Sequence, residues 1–324
     1  HIPPSYFSAA SGSPGHGFNR RNQADSPANE SFDTSNDKVF DEWDHRRDGY
    51  RKNWCRIFER ELPVLHSSFV NGTLEKHRGL LLKLRRQFEM MKTSEHFIRR
   101  QREGEDLDLD AIVEARGDKR AGISPSSKLF VRLQRNDRDI ATIFLVDMSN
   151  STEGWVGTVI KEALVLLCEV MAVAGDAYGI LGFSGMRRSR CDLYRIKSIE
   201  EPYNQIIHQR INSVLPREYT RMGPAVRYAS DKLKTYEART RLLVMITDGK
   251  PEDYDDYKGD YAIEDTRKAL MEARGSGLHT FCITVDREAH EYLPQMFGTG
   301  NYIFIDEIGK LPARMIDMYR LLTT

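Results

Sequence analysis

The pattern of apolar and polar positions changes character near residue 138. After that point, short apolar runs alternate with amphipathic segments whose apolar positions recur every three or four residues. The apolar runs predict strands at 143–147, 178–183, 191–196, 241–248, 279–285 and 302–305, with the strand 191–196 at a sheet edge. The amphipathic segments predict helices at 156–173, 203–214, 223–236, 263–275, 288–297 and 310–322. This alternation predicts an α/β fold with an open, doubly wound, mostly parallel sheet and helices on both faces.

Two further parts precede this alternating region. Residues 1–37 are rich in Ser, Asn, Gly and Pro and have little apolar periodicity, which is typical of a flexible linker. Residues 38–137 are expected to form a helical region, in which Pro63 separates two helices. One apolar stripe at helical spacing consists of Leu74, Leu81, Leu84, Phe88 and Met91. The acidic stretch 103–110 is expected to begin a helix, and alternation at 129–134 predicts a strand.

Composition and charge narrow the function classes. Lys and Arg together number 48, as do Asp and Glu, and the resulting formal net charge of 0 weighs against a dedicated nucleic-acid binder. The four cysteines stand far apart without a Cys-x-x-Cys motif, which favours reduced thiols in a cytoplasmic protein over disulfides or a zinc site. No apolar run has the length of a membrane span and no signal peptide is visible, so no membrane insertion is expected. Because the chain begins at His1, it is expected to be a fragment or a processed product.

Candidate metal ligands stand at the ends of two predicted strands. Asp147 and Asp248 each follow an apolar run, and the loop after Asp147 supplies Ser149 and Ser151. Side chains two residues apart in an extended loop point the same way, so Asp147, Ser149 and Ser151 are expected to face one point. Together with Thr220 they form a set of hard oxygen ligands without His or Cys, which suits Mg²⁺, Mn²⁺ or Ca²⁺ and not zinc. An Asp and Ser turn that caps a helix start is the alternative interpretation of the loop.

Three segments together resemble a known metal site. They are Asp147-Met148-Ser149-Asn150-Ser151, then Thr220, then Thr247-Asp248-Gly249. The order and spacing resemble the metal-ion-dependent adhesion site of von Willebrand factor A domains. The resemblance implies that Ser149, Ser151 and Thr220 bind the ion directly, while Asp147 and Asp248 act mainly through water and balance charge. It also implies that Mg²⁺ keeps one coordination position for a carboxylate of another protein, which is recognition chemistry and not catalysis.

Longer strings extend the resemblance to one family over residues 38–324. The strings are 40–44, 113–122, 219–223, 247–251, 263–267 and 297–298. They are similar to the NorD/CbbO family, whose members activate nitric oxide reductase or rubisco, and the nitric oxide reductase branch is the closer match. The resemblance implies a von Willebrand factor A domain at 138–324 that selects a target enzyme by an acidic residue. It further implies a hexameric MoxR-class AAA ATPase as the partner that supplies mechanical work. Full-length members have a long N-terminal helical region that this chain lacks.

Two other function classes stay open at this point. A metal chelatase subunit carries a similar C-terminal domain, but a long acidic Pro-rich linker is expected there and the acidic stretch here is short. A free-standing adhesion or scaffold protein is the other class, and the lack of a visible secretion signal weighs against it. The sequence has no P-loop, so the chain itself is not expected to hydrolyse ATP. The insert 252–260 carries five acidic residues close to Asp248 and is expected to belong to the target-binding face.

Overall fold

The structure is a computed structural model that describes residues 37–92, 96–134, 139–285, 289–305 and 314. The predicted linker lies outside the described residues apart from Asp37, and the predicted helix 310–322 lies outside them apart from Arg314. Of the predicted apolar stripe, the side chains of Phe88 and Met91 also lie outside the description. Leu81 and Leu84 of that stripe are buried.

Eleven strands occur in the described residues, and eight of them form one sheet. The strands are β1 (Asp37–Asp44), β2 (Gly49–Glu61), β3 (His96–Gln101), β4 (Asp106–Leu107), β5 (Phe130–Gln134), β6 (Ile140–Asp147), β7 (Ala177–Gly185), β8 (Cys191–Lys197), β9 (Thr240–Thr247), β10 (Leu278–Thr284) and β11 (Tyr302–Phe304). The order across the large sheet is β1-β2-β8-β7-β6-β9-β10-β11. Strands β7, β6, β9, β10 and β11 are parallel, and β8 is antiparallel to β7. The predicted α/β fold with a mostly parallel sheet is confirmed.

Helices cover both faces of this sheet. Those in the described residues are α1 (Phe69–Lys76), α2 (Arg78–Lys92), α3 (Leu109–Arg120), α4 (Trp155–Ala174), α5 (Gln205–Asn212), α6 (Met222–Lys234), α7 (Asp260–Gly275) and α8 (Ala289–Phe297). One hydrophobic cluster contains residues of α1, α2, α4 and α5, and a second contains residues of α6, α7 and α8. Along β6, Phe144 and Val146 belong to the first cluster and Ile143 and Leu145 to the second. Because both faces of β6 are covered, the strand has a continuous apolar sequence.

The helical prediction is wrong for the first part of the 38–137 region. Residues 37–61 form the antiparallel hairpin β1–β2, and β2 pairs in parallel with β8. In β2, Cys55 and Ile57 are buried on either side of the exposed Arg56, which is the period of a strand. In β1, the buried residues include Glu42 and Asp44. Both are charged, so the sequence alone would place them in solvent. Pro63 follows β2 and does not separate two helices.

Strand β8 is a second point at which the prediction was wrong, because the strand lies inside the sheet and not at its edge. It is flanked by β7 on one side and β2 on the other. No local pattern indicates this position, because the hairpin that covers β8 comes from a distant part of the chain, residues 37–61. All four cysteines are free and buried.

A small second sheet with the order β3-β5-β4 precedes the large one in sequence. The predicted strand at 129–134 is confirmed as β5. The acidic stretch 103–110 reaches a helix start only at its end, because Asp106–Leu107 forms β4 and α3 begins at Leu109. Asp108 is the N-cap of α3 and accepts a hydrogen bond from the backbone N–H of Ala111. The division of the chain near residue 138 stays a prediction, although β1 and β2 complete the large sheet from the N-terminal side. None of the described helices has both the length and the apolar character needed to cross a bilayer.

Candidate metal centre

Two neighbouring parallel strands bring the candidate carboxylates to one edge of the sheet. Strand β6 ends at Asp147, and β9 ends at Thr247, directly before Asp248. The two strands are in register, with Val146 opposite Ile246. Because parallel neighbours end at the same side of a sheet, the fold places Asp147 and Asp248 side by side.

Hydrogen bonds join four of the predicted ligands in one line. The backbone N–H of Ser149 donates to Asp147 Oδ1 at 2.9 Å, which closes the loop after β6. The Oγ atoms of Ser149 and Ser151 are hydrogen-bonded at 2.8 Å. Ser151 Oγ then donates to Asp248 Oδ1 at 3.0 Å. A short 3₁₀ turn over Asn150–Thr152 directs the two hydroxyls toward each other, so the structure brings Asp147, Ser149, Ser151 and Asp248 together.

The fifth predicted ligand, Thr220, lies on a segment that runs beside this loop. The backbone N–H of Arg217 donates to Met148 O at 2.7 Å, and that of Asn150 donates to Glu218 O at 2.7 Å. Thr220 itself is buried, and its backbone N–H donates to Glu252 O at 2.7 Å. The segment 217–220 is therefore fixed between the loop after β6 and the insert after β9.

Thr247 is a functional candidate that the sequence reasoning did not single out. Its hydroxyl donates to Asp147 Oδ2 at 2.7 Å, while Ser149 occupies Oδ1. Both carboxylate oxygens of Asp147 are thus oriented by hydrogen bonds from neighbouring elements. The available signal was its position at the end of β9, directly before Asp248.

Burial makes the charge on Asp147 costly. Asp147 is only 1% exposed. Burial and then the nearby charge of Asp248 raise the pKa of Asp147 to about 7, although the bonds from Ser149 and Thr247 act in the opposite direction. A cation held beside both carboxylates would offset this unfavourable charge. Within the described residues no group of three or more His, Cys, Asp or Glu is placed to hold a metal, so the hydroxyls are essential to any site here.

A buried ionic cluster around Arg221 was missed by the sequence reasoning. The Arg221 guanidinium donates to Glu42 from β1 and to Asp253 and Asp255 from the insert. Burial alone would lower the pKa of Arg221, but the hydrogen bond and charge of Glu42 raise it, so the side chain stays cationic. The insert 252–260 is therefore not simply an acidic solvent-exposed loop, because Asp253 is buried and two of its acids neutralise Arg221.

The Arg221 cluster continues into α6 and α7 through close contacts. The Tyr257 hydroxyl accepts a hydrogen bond from the backbone N–H of Gly223 at 3.0 Å and donates to Asp265 at 2.9 Å. A Cβ at Gly223 would lie 1.9 Å from Asp265 Oδ2, so only glycine fits there. The residues around Thr220 are consequently held by β1, the insert and α7 together.

The chain is similar to known proteins along most of its length. A family model described as von Willebrand factor type A domain matches residues 142–311. Protein NorD of Brucella melitensis is 38% identical over 294 residues, which cover 88% of this chain and 45% of that protein. Protein NorD of Stutzerimonas stutzeri is 37% identical over 272 residues, which cover 82% of this chain and 44% of that protein. The chain thus spans less than half the length of these curated relatives.

Among solved structures, the vWF domain of the type V pili tip protein Mfa5 from Porphyromonas gingivalis is 10% identical at a TM-score of 0.45, covering 58% of this chain and 97% of that chain.

Proposed function

Since the chain belongs to the von Willebrand factor type A domain family, we propose that it is a non-catalytic accessory module that binds a target enzyme through a Mg²⁺-dependent adhesion site. The observation that carries this proposal is the hydrogen-bonded line from Asp147 through Ser149 and Ser151 to Asp248 at the sheet edge. The similarity to proteins named NorD supports nitric oxide reductase as the target, with rubisco as the second choice.

The donor set fits a hard divalent cation. Every candidate ligand is an oxygen, which Mg²⁺ prefers and which Mn²⁺ and Ca²⁺ also accept. Two carboxylates lie close enough for the charge of Asp248 to raise the pKa of Asp147, and a cation relieves that repulsion. Exposure increases from the buried Asp147 and Ser149 to the exposed Ser151, so the site opens toward solvent on the side of Ser151 and Asp248.

The neutral and the charged residues of the site would have different roles. Ser149, Ser151 and Thr220 would hold the ion as neutral ligands, while Asp147 and Asp248 balance its charge and orient water. When bound, the ion supplies an electrophilic position for a carboxylate of the target. Thr247 keeps the Asp147 carboxylate in place through its hydrogen bond, and the Arg221 cluster keeps the Thr220 segment in place.

We further propose that a MoxR-class AAA ATPase hexamer supplies the energy for remodelling the bound target. The resemblance to the NorD/CbbO family supports this partner, and the sequence has no P-loop of its own. The purified chain is therefore expected to show no ATP turnover alone and to change the ATPase rate of the hexamer when both are mixed. ATP turnover by the chain itself, after removal of contaminating ATPases, would contradict this assignment.

The metal-dependent role is tested by binding to purified nitric oxide reductase and to purified rubisco, with Mg²⁺ and with EDTA. We expect binding to the reductase that EDTA abolishes and that Ser149→Ala also abolishes. The control Ser276→Ala removes an exposed hydroxyl at the end of α7 and should bind normally. Binding that is equal in Mg²⁺ and EDTA would refute the adhesion site. If neither enzyme binds, the target assignment is wrong, and capture from the source cells with and without EDTA would identify the metal-dependent partner.

A further inference from the structure

Large side chains are exposed on the segments that surround the proposed metal site. Met186 lies in the turn between β7 and β8, Tyr219 directly precedes Thr220, and Tyr254 lies in the insert after β9. Tyr254 is 63% exposed, and Met186 and Tyr219 are each 40% exposed. Exposed aromatic side chains grouped in this way are uncommon on a surface without a partner, and they are enriched in protein interfaces.

The side chain of Arg187 stacks on one of these tyrosines, Tyr254. The Arg187 guanidinium lies over the Tyr254 ring at 4.7 Å, and the Tyr254 and Tyr219 ring centroids are 5.9 Å apart. The three side chains form a continuous row from the β7–β8 turn to the residue before Thr220. The N–H donors of a guanidinium point outward in its own plane, so an arginine stacked on an aromatic face can still bind a carboxylate.

The row is built on a fixed backbone. Arg187 has a φ of 62°, which is the left-handed region that a residue with a Cβ avoids. Its backbone N–H donates to Asp253 Oδ1 at 2.8 Å, and Asp253 is itself buried and paired with Arg221. Gly185, on the other side of Met186, exchanges two backbone hydrogen bonds with Tyr219. The turn and both tyrosines are thus joined through the cluster that also holds Thr220, so the side chains are preorganised for binding.

The guanidinium of Arg187 is available to a partner. In the part of the chain that the structure describes, no carboxylate forms an ion pair with the exposed guanidinium of Arg187. The neighbouring Arg188 is also exposed and stacks on the Trp54 ring at 3.9 Å. Asp253 and Asp255 accept backbone hydrogen bonds from Arg187 and Arg188, and their carboxylates are already paired with Arg221. Although Glu218 and Glu252 are exposed on the same segments, the Arg187 guanidinium beside the aromatic rings is left to pair with a carboxylate of a partner.

We infer that Met186, Arg187, Tyr219 and Tyr254 form a second recognition surface that selects the partner of the metal site. The partner segment it fits is acidic, with one carboxylate for Arg187 and an apolar or aromatic side chain against the tyrosine rings. This inference deepens the proposed function and rests on it, because the metal site supplies the other contact to the same segment. The stacked arginine and tyrosines decide which acidic segments bind, whereas the metal alone accepts any exposed carboxylate.

A selection experiment with displayed random peptides of twelve residues tests the surface. The full chain is immobilised in Mg²⁺, and the pools enriched on the unchanged protein, on Arg187→Gln and on Tyr254→Ser are sequenced. We expect the unchanged protein to enrich peptides with two or more acidic residues next to a Phe, Leu or Tyr. Arg187→Gln should lose the second acidic position, and Tyr254→Ser should lose the apolar one, with individual peptides binding at least tenfold more weakly.

The control Arg239→Gln removes an exposed charge at the opposite end of the sheet and should give the unchanged pool. Identical pools from all variants, or no enrichment at all, would overturn the inference. Competition by a single-stranded oligothymidylate that equals or exceeds the acidic peptides would assign the row to nucleic acid instead and would also overturn it. The same selection in EDTA separates the two proposals. If the enriched peptides are the same in Mg²⁺ and EDTA but still change with Arg187→Gln, only the adhesion site is refuted. If the enrichment requires Mg²⁺ but does not change with Arg187→Gln, only this surface is refuted.

Discussion

Arg221 and Glu42 form a buried ion pair that connects the first strand of the sheet to the residue after Thr220. The Arg221 Nε atom lies 2.5 Å from Glu42 Oε1, and Nη2 lies 3.0 Å from Oε2. The side chains are 1% and 0% exposed. The matched family region begins at residue 142, so Glu42 comes from outside it. The N-terminal hairpin therefore takes part in holding the candidate metal centre.

We expect Glu42→Ala to lower the free energy of unfolding by about 3–5 kcal/mol, because it leaves a buried guanidinium without its main partner. Urea unfolding followed by circular dichroism measures the loss. The matched control is Glu61→Ala, which removes an exposed acid of β2 that pairs with Arg195 and should cost less than about 1 kcal/mol. Equal losses in both variants would mean that the Arg221 cluster contributes no more than a surface pair.

Asp147→Asn should leave the domain folded and weaken Mg²⁺ binding by about 10- to 100-fold, the range found when groups that support a metal's ligands are removed. The fold should survive because the change relieves the repulsion between Asp147 and Asp248 within the buried strand end. Titration calorimetry with Mg²⁺ and melting curves with and without the ion measure both effects. Asp231→Asn, on the exposed side of α6, is the control and should bind normally. A folded Asp147→Asn variant with unchanged Mg²⁺ affinity would rule out this carboxylate as part of the site.

Gly223→Ala should destabilise the protein by about 1–3 kcal/mol, because the added methyl group overlaps Asp265 and Tyr257 in a buried region. The comparison is Gly117→Ala in α3, where nothing lies within 4 Å of the added carbon. That change should stabilise by about 0.5–1 kcal/mol, since alanine favours a helix interior over glycine. Thermal unfolding of the two variants should shift in opposite directions, and a neutral Gly223→Ala would show that α7 moves away without cost.

A fragment of residues 139–324 should still fold, because it contains the parallel strands β6, β7, β9 and β10 with α4 and α5 in one hydrophobic cluster and α6, α7 and α8 in the other, although it lacks α1 and α2. It should unfold at lower urea than the full chain, and it should self-associate through the uncovered edge of β8. Light scattering and urea unfolding check both statements. A monomeric fragment with the midpoint of the full chain would show that the hairpin β1–β2 adds nothing to the stability of the sheet.

The sequence by itself determined the α/β alternation and the position of the candidate ligands. Strand ends such as Asp147 and Asp248 could be read because a buried parallel strand is a continuous apolar run that stops where the loop begins. The spacing of Ser149 and Ser151 after Asp147 was likewise a local pattern that needed no knowledge of distant contacts.

Only the tertiary structure decided the hairpin β1–β2, the inner position of β8 and the cluster around Arg221. Glu42, Asp253 and Asp265 are charged residues that any local rule assigns to solvent, yet all three are buried. They can be buried because arginines from elsewhere in the chain neutralise them, and a neutralising partner 32 or 179 residues away leaves no periodic mark in the sequence. The row of Arg187, Tyr254 and Tyr219 likewise forms only in the tertiary structure, because its three residues come from separate loops that meet at one edge of the sheet.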